Sequence, residues 1–545
     1  MYFLLSIFWY LRTIKYILFW LYLWQLKEYR LSRFFDHFRT EMGRKIIFQP
    51  IQLFKIILLA FFVFVLIFFQ TSLSILFLIP TSLFLLYFAE LLFFLKGFSI
   101  KKIKKPTLTK KSAILTFVSL AVFVMLPIAA FLFIKDIFRF SVVLLISDII
   151  APFIIFIIVF SFQPLAIILQ KKIIKRAKEK REKLKNLIVI GLVGSYGKTS
   201  TKEFLKTILS LKFRVLATLN HQNTDMAIAK LILEKLDEKT EVFIVEMAAY
   251  KHGEIKSPCD IVKPKIGIIP GINEQHLALF GSMENLISAE GGKELVVSLP
   301  KDGFAVLNWD NEIIRKNYSR NSKNLKFYSL KKGTNIWAEN IKIEKEFVSF
   351  TAVSKDGNRA DFKVNVLGGH NILNILGAAL VAKELGMGFP EIVKASQEIK
   401  PEQSGMVLKK RNNLNIIDSS YSANPDGVIA DLEYLKIWPG KKVIIMPCLI
   451  ELGSASKEVH KRLGKKIGEI CDLAIITTKE RFKEIKEGAI TTGMKEKNIL
   501  SIENPAEIKE KIDSLCDRDD LVLLEGRVPQ KLHELINGSE GGKEK

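Results

Sequence analysis

Lys198 and Thr199 follow a glycine-bearing turn in the stretch LIVIGLVGSYGKTSTKEFLKTI, residues 187–208. A β-branched apolar run precedes the turn and a helical pattern follows it, so the stretch reads as strand, loop and helix. Backbone N–H groups in such a loop, backed by a helix N-terminus, hold phosphate oxygens. Gly194 and Gly197 would let the main chain approach closely, with Ser195 and Ser200 in the same nucleotide-binding set. Lys198 would place a point charge on the β/γ-phosphates of ATP, and the Thr199 hydroxyl would reach Mg²⁺. The eight-residue Walker pattern puts its first glycine at position 192, which is leucine here, so the tighter form GSYGKTST remains. A glycine turn alone can be merely structural. Lys-Thr directly after it and a strand before it point to nucleotide binding.

Such a loop needs a sheet to carry it. From Leu187 to about Lys400 short apolar strands alternate with amphipathic helices, which predicts a mostly parallel sheet. The strand candidates are Ile188–Val193, Arg214–Ala217, Val242–Glu246, Ile266–Ile269 and Phe304–Leu307. Ligands sit at the carboxyl ends of strands in such sheets. Three polar stretches fall there: Asn220–Asp225, Glu246, and Asn273–His276. Taken alone, Glu246 reads more readily as a helix cap or ion-pair partner, and His276 as a core histidine. Residues 335–366 alternate like a β-ribbon, and His370–Leu385 reads as a helix. After Pro401 a second, smaller doubly wound α/β unit begins, with strands near Leu414–Asp418, Lys442–Met446, Leu473–Thr477 and Leu521–Leu524. The tail GSEGGKEK reads as disordered.

The first 170 residues have a different composition. Phe, Leu and Ile dominate there, and the chain holds 40 Phe among its 545 residues. Five apolar stretches have the ~20-residue length a bilayer core demands: Tyr2–Trp24, Ile51–Gln70, Ser72–Leu95, Ser112–Ile134 and Phe140–Phe160. Arg12 and Lys15 place the first partly in the interface, and Pro152 and Pro164 kink or split the fifth. The formal charge of +24 resembles that of a nucleic-acid binder. Its densest clusters flank the apolar stretches instead, so no nucleic-acid partner is expected. Arg30, Arg33, Arg39 and Arg44 lie in one connection, and Lys101, Lys102, Lys104, Lys105 and Lys110 in another; KKIIKRAKEKREKLK follows the last span. By the positive-inside rule the N-terminus is outside and everything after residue 170 faces the cytoplasm. The expected localisation is the cytoplasmic membrane, multi-pass, and an ATP site needs that side. The basic run after residue 170 reads as a solvated linker or as a collar on anionic lipid headgroups. Glu90 and Asp148 lie near a span end or a proline and read as packing or interface residues rather than a polar pathway. Four scattered cysteines with no CxxC pair fit a reducing compartment. The domains expected are therefore a membrane domain over 1–170, a basic linker over 171–186, a central ATP-binding domain over 187–400 and a C-terminal domain over 401–540.

Beyond single residues, the order of several motifs resembles the Mur ligase superfamily, and within it the type that adds D-alanyl-D-alanine to the muramoyl tripeptide. They are GSYGKTSTKE (194–203), NHQNT (220–224), EMAAYKHGEI (246–255), INEQHLALFGS (272–282), GGHNILNILGAAL (368–380), DSSYSANPD (418–426) and ELGSASKEVH (451–460). The resemblance implies that ATP converts a substrate carboxylate to an acyl phosphate and that an amine displaces phosphate to leave an amide. It implies catalytic roles for Lys198, Glu246 and His276. Thr199 and Glu246 match ligands of one Mg²⁺, and His276 matches a ligand of a second. Asn371 and Asn374 match residues near the adenine, while Asp418, Tyr421 and Asn424 match the second domain's contribution to the nucleotide. Asn220, Asn223 and Thr224 match the substrate side.

Three departures qualify the match. Many family members carry a carbamylated lysine after the FGS motif that binds the second Mg²⁺; counting forward, that position is Glu290. Glu290 would supply the carboxylate directly, since a hard dication accepts either oxygen donor; carbamylated Lys293, or a Glu290 without a role, is the alternative. The family's Gly-Arg pair becomes Ser404-Gly405-Met406, and its Lys-Gly-Ser becomes Glu525-Gly526-Arg527. The family's N-terminal sugar-nucleotide domain is replaced by the membrane part. The implied partners are thus a cell-wall precursor, a lipid-linked one among the options, an amino acid or dipeptide, and membrane lipids. A poly-γ-glutamate or capsule-type synthetase on the same core, and a non-catalytic nucleotide sensor in the membrane, are the competing readings.

Overall fold

The computed structural model describes residues 1–27, 49–68, 73–99, 104–219, 222–322, 324–411, 414–421, 423–517 and 519–537, with 29, 31, 34, 35, 38, 43 and 46. Asn220, the basic residues Arg30, Arg33, Arg39, Arg44, Lys101 and Lys102, and the tail from 538 onward lie outside the described residues. The chain divides into two compact units, 1–170 and 171–545.

The first unit is helical: α1 (Tyr2–Leu26), α2 (Pro50–Phe68), α3 (Leu73–Ser99), α4 (Lys110–Phe133), α5 (Ile137–Ile149) and α6 (Ala151–Ser161). Among the described residues four helical stretches are long and apolar enough to cross a membrane: Tyr2–Leu26, Ile79–Lys96, Lys110–Phe133 and Ala151–Lys183. Pro50–Val65 is a shorter apolar helix. A Thr109–Ser112 capping box starts α4, satisfying N–H groups that a helix start leaves open. The fifth apolar stretch is broken at Ile150, and Pro152 stands at the start of the second piece, where its missing N–H costs nothing.

Arg12, Lys55, Glu90 and Asp148 are turned inward, which corrects the interface placement expected for Arg12 and gives packing, the first of the two readings, for Glu90 and Asp148. Arg12 Nε donates to Glu90 at 2.6 Å, and its Nη2 donates to Asp148 at 2.5 Å. Lys55 Nζ donates to both Glu90 oxygens at 2.7 and 2.9 Å and lies 2.9 Å from Asp148 Oδ2. Tyr16 and Tyr87 stack on the Arg12 guanidinium, 5.1 and 5.5 Å from their ring centroids. Two cations and two anions from four helices cancel in an apolar interior, the arrangement in which buried charge is tolerable.

The second unit holds two sheets, confirming the mostly parallel sheet with a smaller α/β partner. The strands of the first are β1 (Ile188–Leu192), β2 (Val215–Ala217), β3 (Val242–Glu246), β4 (Ile266–Ile269), β5 (Phe304–Asn308), β6 (Leu325–Ser329), β7 (Ile336–Ile343), β8 (Val348–Ser354) and β9 (Arg359–Val364). Their order is β2-β3-β1-β4-β5-β6-β7-β8-β9, parallel from β2 to β7 and antiparallel through the β7–β9 ribbon. The central strands read as continuous apolar runs because helices cover both faces. The second sheet comprises β10 (Val407–Arg411), β11 (Leu414–Ser419), β12 (Lys442–Met446), β13 (Leu473–Ile476), β14 (Ile499–Ser501) and β15 (Leu521–Glu525), in the order β10-β11-β15-β12-β13-β14. Only β10 runs antiparallel.

The basic segment after residue 170 continues a helix, α7 (Gln163–Lys183). Ile173, Ile174, Ala177 and Leu184 join the core beneath the first sheet, while Lys180 Nζ and Arg181 Nε cap the carbonyls of Leu233 and Val262 at 2.9 and 2.6 Å.

Candidate active site

Strand β1 ends at Leu192, and the chain turns through Gly194 to a helix, α8 (Lys198–Leu209). Gly197 caps that helix at φ 75°, a left-handed conformation in which a side chain would be strained. A Cβ there would also sit 2.9 Å from Pro270. Tyr196 packs inward and its hydroxyl accepts from Asn311 at 3.1 Å; burial raises its pKa. The Lys198 ammonium folds back onto the Gly194 carbonyl.

Two acids close on this loop. Glu246, at the tip of β3, accepts the Thr199 hydroxyl at 3.2 and 3.3 Å. Lys202, one turn beyond Lys198 and wholly buried, lies 3.2 Å from Glu246 Oε2. Glu290 is 2% exposed; it accepts the Ser195 hydroxyl at 3.2 Å and lies 2.9 Å from His276 Nδ1. His276 itself has φ 67°. Lys293 is exposed at the start of its own short helix. One mouth therefore collects Ser195, Lys198, Thr199, Glu246, His276 and Glu290, and leaves Lys293 outside.

The other sequence candidates have different surroundings. Asn371 and Asn374 are buried: Asn374 Nδ2 donates to Asn371 at 2.9 Å and its oxygen accepts from Thr201 at 3.1 Å, tying the helix His370–Glu384 to α8. Ser200 donates to the Ser404 carbonyl at 3.2 Å. Asp418 lies between His533 (2.7 Å), Lys409 (3.1 Å) and Ser420 (2.5 Å). Burial opposes its charge, but those hydrogen bonds outweigh it and lower its pKa. Tyr421 is exposed enough to meet a ligand, and burial followed by the charge of Glu246 raises its pKa. Asn424 caps the helix Pro425–Leu435 and accepts from Asn273 at 2.9 Å. Asn273 also donates to Asp426 at 2.8 Å. Asn223 offers its carbonyl to Ala248 N–H at 3.1 Å, and Thr224 precedes the helix Asp225–Lys235.

Sequence reasoning missed Lys202 and Glu451. Lys202 carried a signal, four residues after Lys198 and so on the same helix face. Glu451 comes from the second sheet's side and lies 3.6 Å from His276 Nε2, a tertiary meeting that no local pattern shows.

A phosphate loop at the end of a parallel strand, with a second α/β unit reaching its mouth, defines a two-domain nucleotide-binding α/β protein. Residues 192–382 match the Mur ligase middle domain, and 406–528 match the Mur ligase glutamate ligase domain. The chain belongs to the Mur ligase family. It is 25% identical over 353 residues to the UDP-N-acetylmuramoyl-tripeptide–D-alanyl-D-alanine ligase of Bacillus subtilis, covering 64% of this chain and 75% of that one. The Haemophilus influenzae ligase of the same name is 30% identical over 305 residues, covering 53% and 63%. The MurF structure from Acinetobacter baumannii shares the fold at a TM-score of 0.60 and 24% identity, over 68% of this chain and 80% of that one. MurF from Thermotoga maritima in complex with ADP gives 0.58 and 25%, over 67% and 83%.

Proposed function

We propose that the protein is a membrane-anchored, ATP-dependent ligase that joins a carboxylate to an amine through an acyl phosphate. Its expected product is a cell-wall muropeptide precursor extended by D-alanyl-D-alanine or a related amine. The contact of the Thr199 hydroxyl with the Glu246 carboxylate, at the mouth that also holds Lys198, is the observation that carries this reading.

Phosphoryl transfer is mainly positioning and charge neutralisation. The loop N–H groups and Lys198 orient the triphosphate so that its terminal group meets a substrate carboxylate oxygen; ADP leaves. The amine nitrogen then bonds to the acyl carbon as the bond to phosphate oxygen breaks, phosphate departs, and the nitrogen sheds a proton. The donor set fits magnesium: oxygens from Thr199 and Glu246 on one side, and Glu290 with His276 on the other, suit a hard dication. Bound there, Mg²⁺ would neutralise charge on the transferred group. Glu290, rather than a modified Lys293, is the acid that serves His276, because Glu290 is buried against it and Lys293 is exposed. Asn371, Asn374, Asp418, Tyr421 and Asn424 serve the nucleotide side, and Asn220, Asn223 and Thr224 the substrate side.

The apolar helices and the lysine and arginine distribution support a multi-pass location in the cytoplasmic membrane with the ligase part inside. Its substrate is then met at the membrane surface. Mass analysis of products from labelled D-alanyl-D-alanine or glutamate identifies the amine. A protein lacking residues 1–185 that ligates soluble UDP-muramoyl-tripeptide as well as the full chain contradicts membrane presentation. No amine-dependent product from any acid contradicts the ligase reading.

A further inference from the structure

Lys202 takes no step in the chemistry above, yet it lies against the carboxylate on which that chemistry turns. Thr199 and Lys202 are three residues apart in α8 and so share a helix face, and both reach Glu246 at the tip of β3. The Thr199 hydroxyl spans the carboxylate, 3.3 Å from Oε1 and 3.2 Å from Oε2, while Lys202 Nζ sits 3.2 Å from Oε2 alone. Glu203 brings a second acid to the same ammonium, its Oε1 3.3 Å from Nζ. Lys202 is 0% exposed, and a wholly buried ammonium is tolerable only with opposite charge beside it. Among the described residues no hydrogen bond reaches its Nζ, so the two acids hold it by charge.

This corner is neutral before any ligand arrives. Lys198, tied to the Gly194 carbonyl, and Lys202 stand against Glu203 and Glu246. The protein's own ligands are also few there. Among the described residues no three His, Cys, Asp or Glu side chains gather to hold a metal ion. One carboxylate and one hydroxyl leave most of the octahedron that Mg²⁺ demands to water and phosphate oxygens. A dication arriving alone must therefore settle close to the Lys202 ammonium, and like charges repel strongly where water is scarce.

We propose that Lys202 is the counter-cation of the empty Glu246 site and that its charge makes metal loading there depend on the nucleotide. The proposal rests on the reading of Glu246 as a magnesium ligand given above. The triphosphate supplies both the missing oxygens and the negative charge that offsets Lys202, so the metal enters with it and not ahead of it. Lys202 acts through Glu246 and is a positioning residue: it keeps the carboxylate beside Thr199 while the site is empty. An ion pair that merely ties α8 to β3 would create no such dependence.

The test uses the full chain in detergent, without acid or amine, and measures binding of Mn²⁺ in place of Mg²⁺. The electron paramagnetic resonance signal of the free ion is read with and without the β,γ-methylene analogue of ATP. Wild type is expected to bind Mn²⁺ far more tightly with the analogue than without it. Lys202→Met is expected to tighten the nucleotide-free Kd by at least about tenfold, the effect of removing a unit charge close to a dication, and to narrow the gap between the two conditions. Lys202→Arg, which keeps the charge, retains the wild-type pattern. Adding Glu246→Gln to Lys202→Met abolishes the gain; a gain that survives it comes from Glu290 and His276 and overturns the proposal. An unchanged or weakened nucleotide-free Kd in Lys202→Met overturns it as well. If Lys202→Met does not fold, Lys202→Gln decides by the same readings. The ligase reading fails separately: this metal pattern without any amide formation overturns that reading, whereas amide formation with an unaltered pattern in Lys202→Met overturns the proposal alone.

Discussion

At the residue scale the site is a pair of acids, Glu246 and Glu290, each held by polar partners from elsewhere in the fold. Glu246 touches Thr199 and buried Lys202, and Glu290 touches Ser195 and His276. If Glu290 serves the second magnesium, Glu290→Gln raises the Mg²⁺ concentration needed for ADP release, whereas Lys293→Ala leaves it unchanged. The opposite pattern would restore the carbamylated-lysine alternative. If Lys198 neutralises the triphosphate as proposed, Lys198→Ala lowers kcat by about 10²–10³-fold, the cost of losing one such electrostatic group; initial rates at saturating ATP measure it. The identities of Lys198, Thr199, Glu246 and His276 were legible because chemistry and motif order mark them. Glu451 was not, because it becomes part of the site only when strands far apart in sequence are brought to one mouth.

At the scale of elements, the carboxyl ends of β11 and β15 carry a pair unusual for this site. Ser419 donates to Asp431 at 2.5 Å, and Glu525 is 1% exposed beside them, one of its oxygens without a partner among the described residues. Burial first, then the Asp431 charge, pushes Glu525 well above the carboxylate range; burial also raises Asp431. Raised folded-state values mean stability that is full below the ordinary carboxylate range and lost as pH rises through the shifted range. Glu525→Gln is therefore expected to melt higher than wild type at pH 8 and about equally at pH 4.5; equal melting at both would refute a Glu525 raised by burial and by Asp431. Element types were well marked where apolar runs were long, as in β3 and β12. The strand β10, VLKKR, was hidden because an edge strand carries charges that read as a loop. The strands β6 and β14 were missed as well, β14 being only three residues long and β6 (LKFYS) set among polar residues, so that pairing rather than pattern defines them. The break of the fifth apolar stretch was foreshadowed by Pro152, and packing was one reading of Glu90 and Asp148, but the inward turn of Arg12 and the pairing of all of them were not, since hydropathy sees charge and not its partner.

At the scale of the whole molecule, a helical unit with its charges cancelled inside is joined to a two-domain ligase core. Removing one member of a buried ion pair costs about 3–5 kcal/mol. Asp148→Asn should thus lower the melting temperature of the full chain in detergent, and adding Lys55→Met should recover much of the loss. No change in Asp148→Asn would show that the four charges do not hold that unit together. The core's central claim is that a triphosphate held over Gly194–Thr199 passes its terminal phosphoryl group to a carboxylate. The most direct measurement supplies an acid labelled with ¹⁸O in its carboxylate, together with ATP and the amine, and weighs the phosphate released. Transfer of one labelled oxygen into each phosphate is the predicted result. Phosphate that carries no label, while amide forms, would contradict the account.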